Sequence, residues 1–344
     1  MKMDRRLARL AGLALLAAAQ AAPAQAETVL RYSNWLPAGH SVLEGAIKPF
    51  IAEVEAKTDG RVRIETLPKV IGTVPGQYDV AVDGLADIAF LVLGYTPGRF
   101  PLSEVAELPF SNFDPSALSI ALWRMFEAEI EPRDEFKGVK VLTLAVTTPS
   151  HIATRAQPVE RIEQLQGLKM RNPVASFTAA SEALGTVPIN KPVSEMYELA
   201  SSGVVDGTFT PLDTMKSFRL MEVMPWMTRV EGGLFQPALG LVMNRDAWES
   251  LSAQDQEIVM AAAGEKMAGI IGAGYAANDV AAEAEMNALE TGGVLEASPE
   301  LMAALRERLA FVEKAWIEKA EGLGVENAAE LPGRLRDETA ALSK

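Results

Sequence analysis

Hydrophobic positions along the chain switch between two periods. Residues 61–67 alternate apolar and polar, the period of a half-buried strand; 28–33 reads as a short strand, and 86–92 and 139–146 are apolar enough to be buried ones. Between them the spacing becomes helical, with Leu43, Ile47, Phe50 and Val54 on one face of a segment that starts near Ser41. Ser41 and Glu44 have the spacing of a capping box, and the ring of Pro49, which crowds the carbonyl of Gly45, predicts a kink. Asp114-Pro115 marks another helix start, with Asp as the cap and Pro at the first helical position. From about residue 250 the helical pattern takes over. Segments 257–271 and 276–289 are rich in Ala, Glu and Met without proline, and 299–318 carries Leu301, Leu305, Leu309, Val312 and Trp316 on one stripe. Strands alternating with helices predict a parallel or mixed α/β fold.

A weak internal repeat adds to this picture. The segment from Tyr78 to Phe90 and that from Tyr197 to Phe209 share Tyr, Ala, Gly, Asp and Phe in register. Each copy reads as a helix stopped by a glycine able to adopt positive φ (Gly84, Gly203), followed by an aspartate (Asp87, Asp206) that leads into a buried strand. Twin lobes facing one another across a hinge would account for building the same turn twice.

The N-terminus bears on the compartment. Lys2, Arg5, Arg6 and Arg9 precede an uncharged run over 10–22 that ends in Ala24-Gln25-Ala26, the pattern of a cleaved signal peptide over 1–26 and of export to the periplasm. Its loss would remove four basic residues and Asp4, taking the net charge from −14 to −17. Such acidity argues against nucleic acid or anionic lipid as a partner. There are no cysteines, which excludes disulfides, thiol catalysis and a lipid-modified cysteine. Catalytic tools are equally scarce: the two histidines, His40 and His151, fit no metal-binding spacing, and neither a nucleophile elbow nor a phosphate-binding loop is present. A binding protein with no metal or cofactor is the expectation. An enzyme on the same two-lobed scaffold, or a receptor feeding a signalling sensor, is the alternative.

Several spaced motifs then resemble one family. In order they are Tyr32-Ser-Asn-Trp35 with Gly39-His40, the turn Thr58-Asp-Gly60-Arg61, Gly98-Arg-Phe-Pro-Leu102, Gln164-Leu-Gln-Gly-Leu-Lys-Met-Arg171-Asn-Pro, Ala183-Leu-Gly185, Gly203-Val-Val-Asp-Gly207 and Leu241-Val-Met-Asn244. Over almost the whole mature chain this order resembles the extracytoplasmic solute receptors of TRAP transporters. The resemblance implies a two-lobed periplasmic binding protein of the venus-flytrap type, with long helices crossing between lobes. On that basis 27–148 plus 237–276 would form the first lobe and 149–236 plus 277–344 the second. It also implies a monomer that closes on a small organic acid and delivers it to a two-subunit membrane permease.

The same resemblance implies the site. The arginine of its G-L-K-x-R strand, here Arg171, pairs with a substrate carboxylate, a task suited to a planar guanidinium. Many relatives follow the V-D-G turn with Glu-Asn, whereas this chain has Thr208-Phe209-Thr210, a less polar patch in which Phe209 can face either pocket or core. Acid-sugar receptors carry a second arginine about twenty residues before the first. Here His151 stands there, which favours a monocarboxylate and leaves His151 as a donor to the ligand or a structural histidine. The loop Asn34-Trp35, Tyr95 and Phe177 are the remaining candidate pocket walls; strand-end loops of α/β lobes face the cleft, although each of these residues could equally be core.

Overall fold

The computed structural model describes residues 27–111 and 114–343; the expected signal peptide, 1–26, lies outside the described residues. Eleven strands are present among them: β1 (Thr28–Ser33), β2 (Val62–Thr66), β3 (Ile88–Val92), β4 (Val139–Val146), β5 (His151–Thr154), β6 (Lys169–Asn172), β7 (Val187–Asn190), β8 (Gly207–Thr210), β9 (Trp226–Arg229), β10 (Ala238–Asn244) and β11 (Gly293–Glu296). They form two sheets, ordered β2-β1-β3-β10-β4 and β11-β9-β5-β8-β6-β7. β1 is parallel to β2 and β3, and β10 is antiparallel to β3 and β4. In the second sheet β6 is parallel to β7 and β8, and β5 is antiparallel to β8 and β9. Five strands of the second sheet thus repeat the topology of the first, with β11 added at one edge beside β9.

The internal repeat is the local cause of that symmetry. Gly84 and Gly203 end their helices at φ +65° and +75°, a left-handed conformation that suits glycine. Three residues later, the Asp87 carboxylate accepts the amide of Arg31 in β1 (2.7 Å) and that of Asp206 accepts the amide of Lys169 in β6 (2.9 Å). The amides of Asp87 and Asp206 return bonds to the carbonyls of the same two residues. Each aspartate therefore clamps the first parallel strand of its lobe beside the strand that follows the turn.

Each sheet also receives one antiparallel strand from the other lobe. The chain leaves β4 over Thr147–Ser150 to enter β5, and returns from β9 over 230–237 to enter β10. These two crossings run side by side, joined by hydrogen bonds from Thr147 N to Pro237 O (3.1 Å), Ser150 N to Phe235 O (2.8 Å) and Leu234 N to Ser150 O (2.9 Å). A paired, two-stranded crossing is a natural hinge, since it can flex without losing its backbone partners.

The expected strands are found, but several helices differ from the expectation. Residues 253–289 hold one helix, Ala253–Ala262, and a second, Gly264–Asn287, that is 24 residues and about 36 Å long. Met267 and Ile271 of the long helix lie in the core of the first lobe, and Ala282 and Met286 in that of the second, so it spans both. The stripe over 299–318 breaks at Ala310 into Pro299–Leu309 and Phe311–Gly322. The break lets Leu301, Leu305 and Leu309 face the second lobe while Trp316 and Ala320 face the first. Together with Leu331 and Leu335 of the helix Leu331–Leu342, these place the last helices on the first lobe, where the sequence reading grouped 277–344 with the second. The capping box at Ser41 and Glu44 does not form. His40 Nδ1 accepts the amide of Val42 instead, and a π-turn over Leu43–Ile47 precedes Pro49, which has no amide hydrogen to give Gly45.

The long helix packs so closely on the helix Pro115–Met125 that a Cβ at Gly272 would lie 2.3 Å from the carbonyl oxygen of Pro115, while Ser116 Oγ bonds Gly269 O (2.9 Å). Alanine gains at most about 1 kcal/mol over glycine inside a helix, and overpacking against a backbone atom costs about 1–3 kcal/mol. Gly272→Ala should therefore lower the chemical-denaturation midpoint despite its better helix propensity; an equal or higher midpoint would show that the helices separate freely.

Candidate ligand-binding site between the lobes

A cavity lies between the two sheets, at the C-terminal ends of β1, β3, β6 and β8, where loops of open α/β sheets gather. Trp35 follows β1, Val92 and Tyr95 end and follow β3, Arg171 and Pro173 come from β6, and Phe209 to Pro211 from β8. Thr147 and Pro237 of the two crossings close one side; His40, Phe218 and Tyr275 of the long helix close another. These walls bound about 460 Å³ of atom-free space, part of it open to solvent.

Arg171 is 2 % exposed and makes no ion pair among the described residues. Its Nε donates to Lys191 O (2.7 Å) and its Nη2 to Tyr95 Oη (3.2 Å). Burial pulls its pKa below the usual value, yet a guanidinium stays charged at any physiological pH. Tyr95 Oη also accepts the amide of Val193 (3.0 Å). With both lone pairs engaged, the Tyr95 hydroxyl keeps its own proton free to donate. Arg171 Nη1 and Tyr95 O–H together present donors, and one positive charge, to whatever fills the cavity. A guanidinium beside a hydroxyl donor is a set able to bond the oxygens of an anionic group.

Tyr95 belongs to the first lobe and Arg171 and Val193 to the second, so these bonds also hold the lobes together. A second link runs from Glu107 of the first lobe, which accepts from Ser176 of the second and from Ala238 N (2.9 Å) at the start of β10; burial pushes its carboxyl up to about 7. Ser41 Oγ reaches Asp213 across the same gap (3.3 Å). Closest of all is Gly94, where a Cβ would lie 2.4 Å from Cβ of Val174.

Of the residues named from the sequence, Trp35, Tyr95, Arg171, Phe209 and Thr210 line the cavity. Trp35 is fixed by its indole N–H to Phe90 O (2.8 Å). Phe209 does both things considered for it, since its ring packs in the second core against Phe177 (5.1 Å between centroids) and also backs the cavity. Three residues are not in the walls. Asn34 uses its amide to shape its own loop, accepting from Leu36 N (3.2 Å) and donating to Leu36 O (3.1 Å). His151 turns to the hinge, where Nδ1 accepts from Val230 N (3.3 Å), and burial together with Arg229 drives its pKa down to about 3. Phe177 is core, its ring 4.4 Å from that of Phe235. Sequence reasoning missed His40, Phe218 and Tyr275. His40 was visible within the Gly39-His40 motif, and Tyr275 is the one aromatic residue in its Ala/Gly-rich helix.

Two matching lobes, a paired crossing and a cavity between them with one buried cation in its wall define a solute receptor of the two-lobed class. The family model described as bacterial extracellular solute-binding protein, family 7, matches residues 32–319, and the chain belongs to that family. Members are periplasmic solute-binding proteins, receptors rather than enzymes. Among solved structures, a TRAP periplasmic solute-binding protein from Bordetella bronchiseptica with bound (R)- and (S)-mandelate is 35% identical, with a TM-score of 0.88 over 92% of this chain and 99% of that one. A marine metagenome TRAP protein in complex with 3-hydroxybenzoate is 30% identical, TM-score 0.86, covering 93% and 100%. One from Rhodoferax ferrireducens T118 with copurified benzoate is 27% identical, TM-score 0.85, covering 92% and 98%.

Proposed function

We propose that this chain is the periplasmic receptor of a TRAP-type transporter, exported with removal of residues 1–26, and that it captures an aromatic monocarboxylate for delivery to a two-subunit membrane permease. The observation that carries this reading is Arg171, a buried guanidinium with no carboxylate partner among the described residues and with unused donors beside Tyr95 O–H. Among the described residues it is the only lysine or arginine in the cavity wall, so one ligand carboxylate would be matched and a second left uncompensated. The remaining walls are largely aromatic or aliphatic: Trp35, Phe209, Phe218, Tyr275, Val174 and Leu239 favour a planar apolar body behind that carboxylate. Relatives with bound mandelate, benzoate and 3-hydroxybenzoate support the same ligand class. The ligand would enter when the lobes part, and closure would bring Tyr95 onto Arg171 and Gly94 against Val174.

Two variants test this reading, with benzoate and mandelate as probes. Arg171→Ala should weaken binding by about 2–5 kcal/mol in calorimetry, or beyond detection, and Arg171→Lys should restore only part of it because an ammonium lacks the planar fork. Wild-type affinity in the Ala variant would remove the carboxylate anchor. Gly94→Ala tests closure. No positive φ is required at Gly94, so the lobes should melt as wild type by circular dichroism, but the added methyl meets Val174 only when they shut. Small-angle scattering should show ligand-dependent shrinkage of wild type and none of the variant; equal shrinkage would show that the contact yields.

A further inference from the structure

The cavity holds a second polar pair that carboxylate recognition leaves unused. His40 and Tyr275 are 3 % and 4 % exposed, line the cavity, and come from the loop after β1 and from the long helix. Neither makes a hydrogen bond to Arg171 or Tyr95.

The proton on His40 can be placed. Its Nδ1 accepts the amide of Val42 at 3.2 Å, so in the neutral ring the hydrogen sits on Nε2. Burial pulls the imidazole pKa down to about 4, which keeps the ring neutral in a periplasm near neutrality. Phe218 and Tyr275 pack edge to face on the imidazole, with centroids 5.9 and 6.0 Å away, and hold its orientation. The Tyr275 phenol is equally certain to be protonated, since burial, and then the nearby Asp213, Tyr95 and Asp279, push its pKa well above 10. Among the described residues, no hydrogen bond engages His40 Nε2–H or Tyr275 Oη, although both residues are almost wholly buried and line the cavity. Buried polar groups in native proteins are nearly always partnered, and an unpartnered pair in a cavity wall points to a ligand atom.

We propose that His40 and Tyr275 form a subsite for a hydroxyl group of the ligand, making the receptor selective for hydroxylated aromatic monocarboxylates over the bare ring. A hydroxyl accepts from His40 Nε2–H and donates to Tyr275 Oη, and so satisfies both at once. A ring hydrogen or a methyl leaves both groups buried and unsatisfied, and a site built to bond a substrate hydroxyl rejects the analogue that lacks it. This inference rests on the aromatic-acid reading above and adds to it the group that distinguishes one such acid from another.

Calorimetry with benzoate, the ortho-, meta- and para-hydroxybenzoates and mandelate tests it on wild type, Tyr275→Phe and His40→Asn. The Phe variant removes only the hydroxyl. In the Asn variant Oδ1 can still take the Val42 amide in place of Nδ1 while the Nε2–H donor is gone. At least one hydroxylated acid should bind wild type about ten- to a hundredfold more tightly than benzoate. Both variants should erase that preference, weakening the hydroxylated acid more than they weaken benzoate. Benzoate binding wild type as tightly as every hydroxylated acid, or variants that weaken all five acids alike, would overturn the subsite while leaving the aromatic-acid reading in place. Absence of binding by all five would overturn both. Should His40→Asn fail a circular dichroism melt, Tyr275→Phe decides alone.

Discussion

A guanidinium taken out of water without a counter-charge is among the most expensive things a fold can hold. Arg171 is in that position. The effective desolvation penalty for a buried ion is several kcal/mol, and a carbonyl and a phenol offset only part of it. Much of the second lobe near the cavity serves to keep that charge in place. β6 supplies the residue, flanked by β7 and β8, and the carbonyl of Lys191 just after β7 fixes Nε. From the first lobe, Tyr95 reaches across the gap and is itself oriented by the amide of Val193. What remains unsatisfied is directed at the cavity. On the proposed reading an anion would complete the shut form and so couple ligand capture to closure: with the lobes apart water would solvate the arginine, and with the lobes together a carboxylate would.

The scaffold makes such an exchange possible because its two halves are built alike and joined by only a few segments. The paired crossings between β4 and β5 and between β9 and β10 carry the backbone from one sheet into the other, and the helix Gly264–Asn287 spans both cores. The break at Ala310 returns the chain to the first lobe. Contacts across the gap include Tyr95 on Arg171, Glu107 on Ser176, Ser41 on Asp213, Gly94 against Val174 and the ring of Phe218 on His40. Val174 also packs in the core of the second lobe, whereas the hydrogen-bonded pairs lie outside the cores and can part without unfolding either lobe.

How much of this was legible in the sequence depended on whether the signal was local. The turns at Gly84 and Gly203 were, because a left-handed glycine followed by an aspartate needs only its own segment, and the repeat announced the twin sheets. Arg171, Trp35 and Tyr95 were found because motifs place them at strand ends, and strand ends of α/β lobes face the cleft. His151, for which a structural role was left open, and Asn34 lie outside the cavity wall for a related reason. Both lie where a site residue would, but each satisfies itself on nearby backbone, Val230 N for one and Leu36 for the other, and a sequence does not show which way a polar side chain turns. Tyr275 was hidden by distance, since it reaches the cavity only through the course of a helix that packs on both lobes. The split of 299–318 was hidden because its apolar stripe continues through Ala310 while the core it faces changes.

The central claim is that a ligand carboxylate completes Arg171. Comparing benzoate with benzamide on the wild-type protein tests this most directly, because the two share size, shape and apolar surface and differ in the charge offered to the guanidinium. Benzamide is predicted to bind at least about thirtyfold more weakly in calorimetry, the loss expected when a buried charge goes unpaired. Equal affinity for acid and amide would contradict the account.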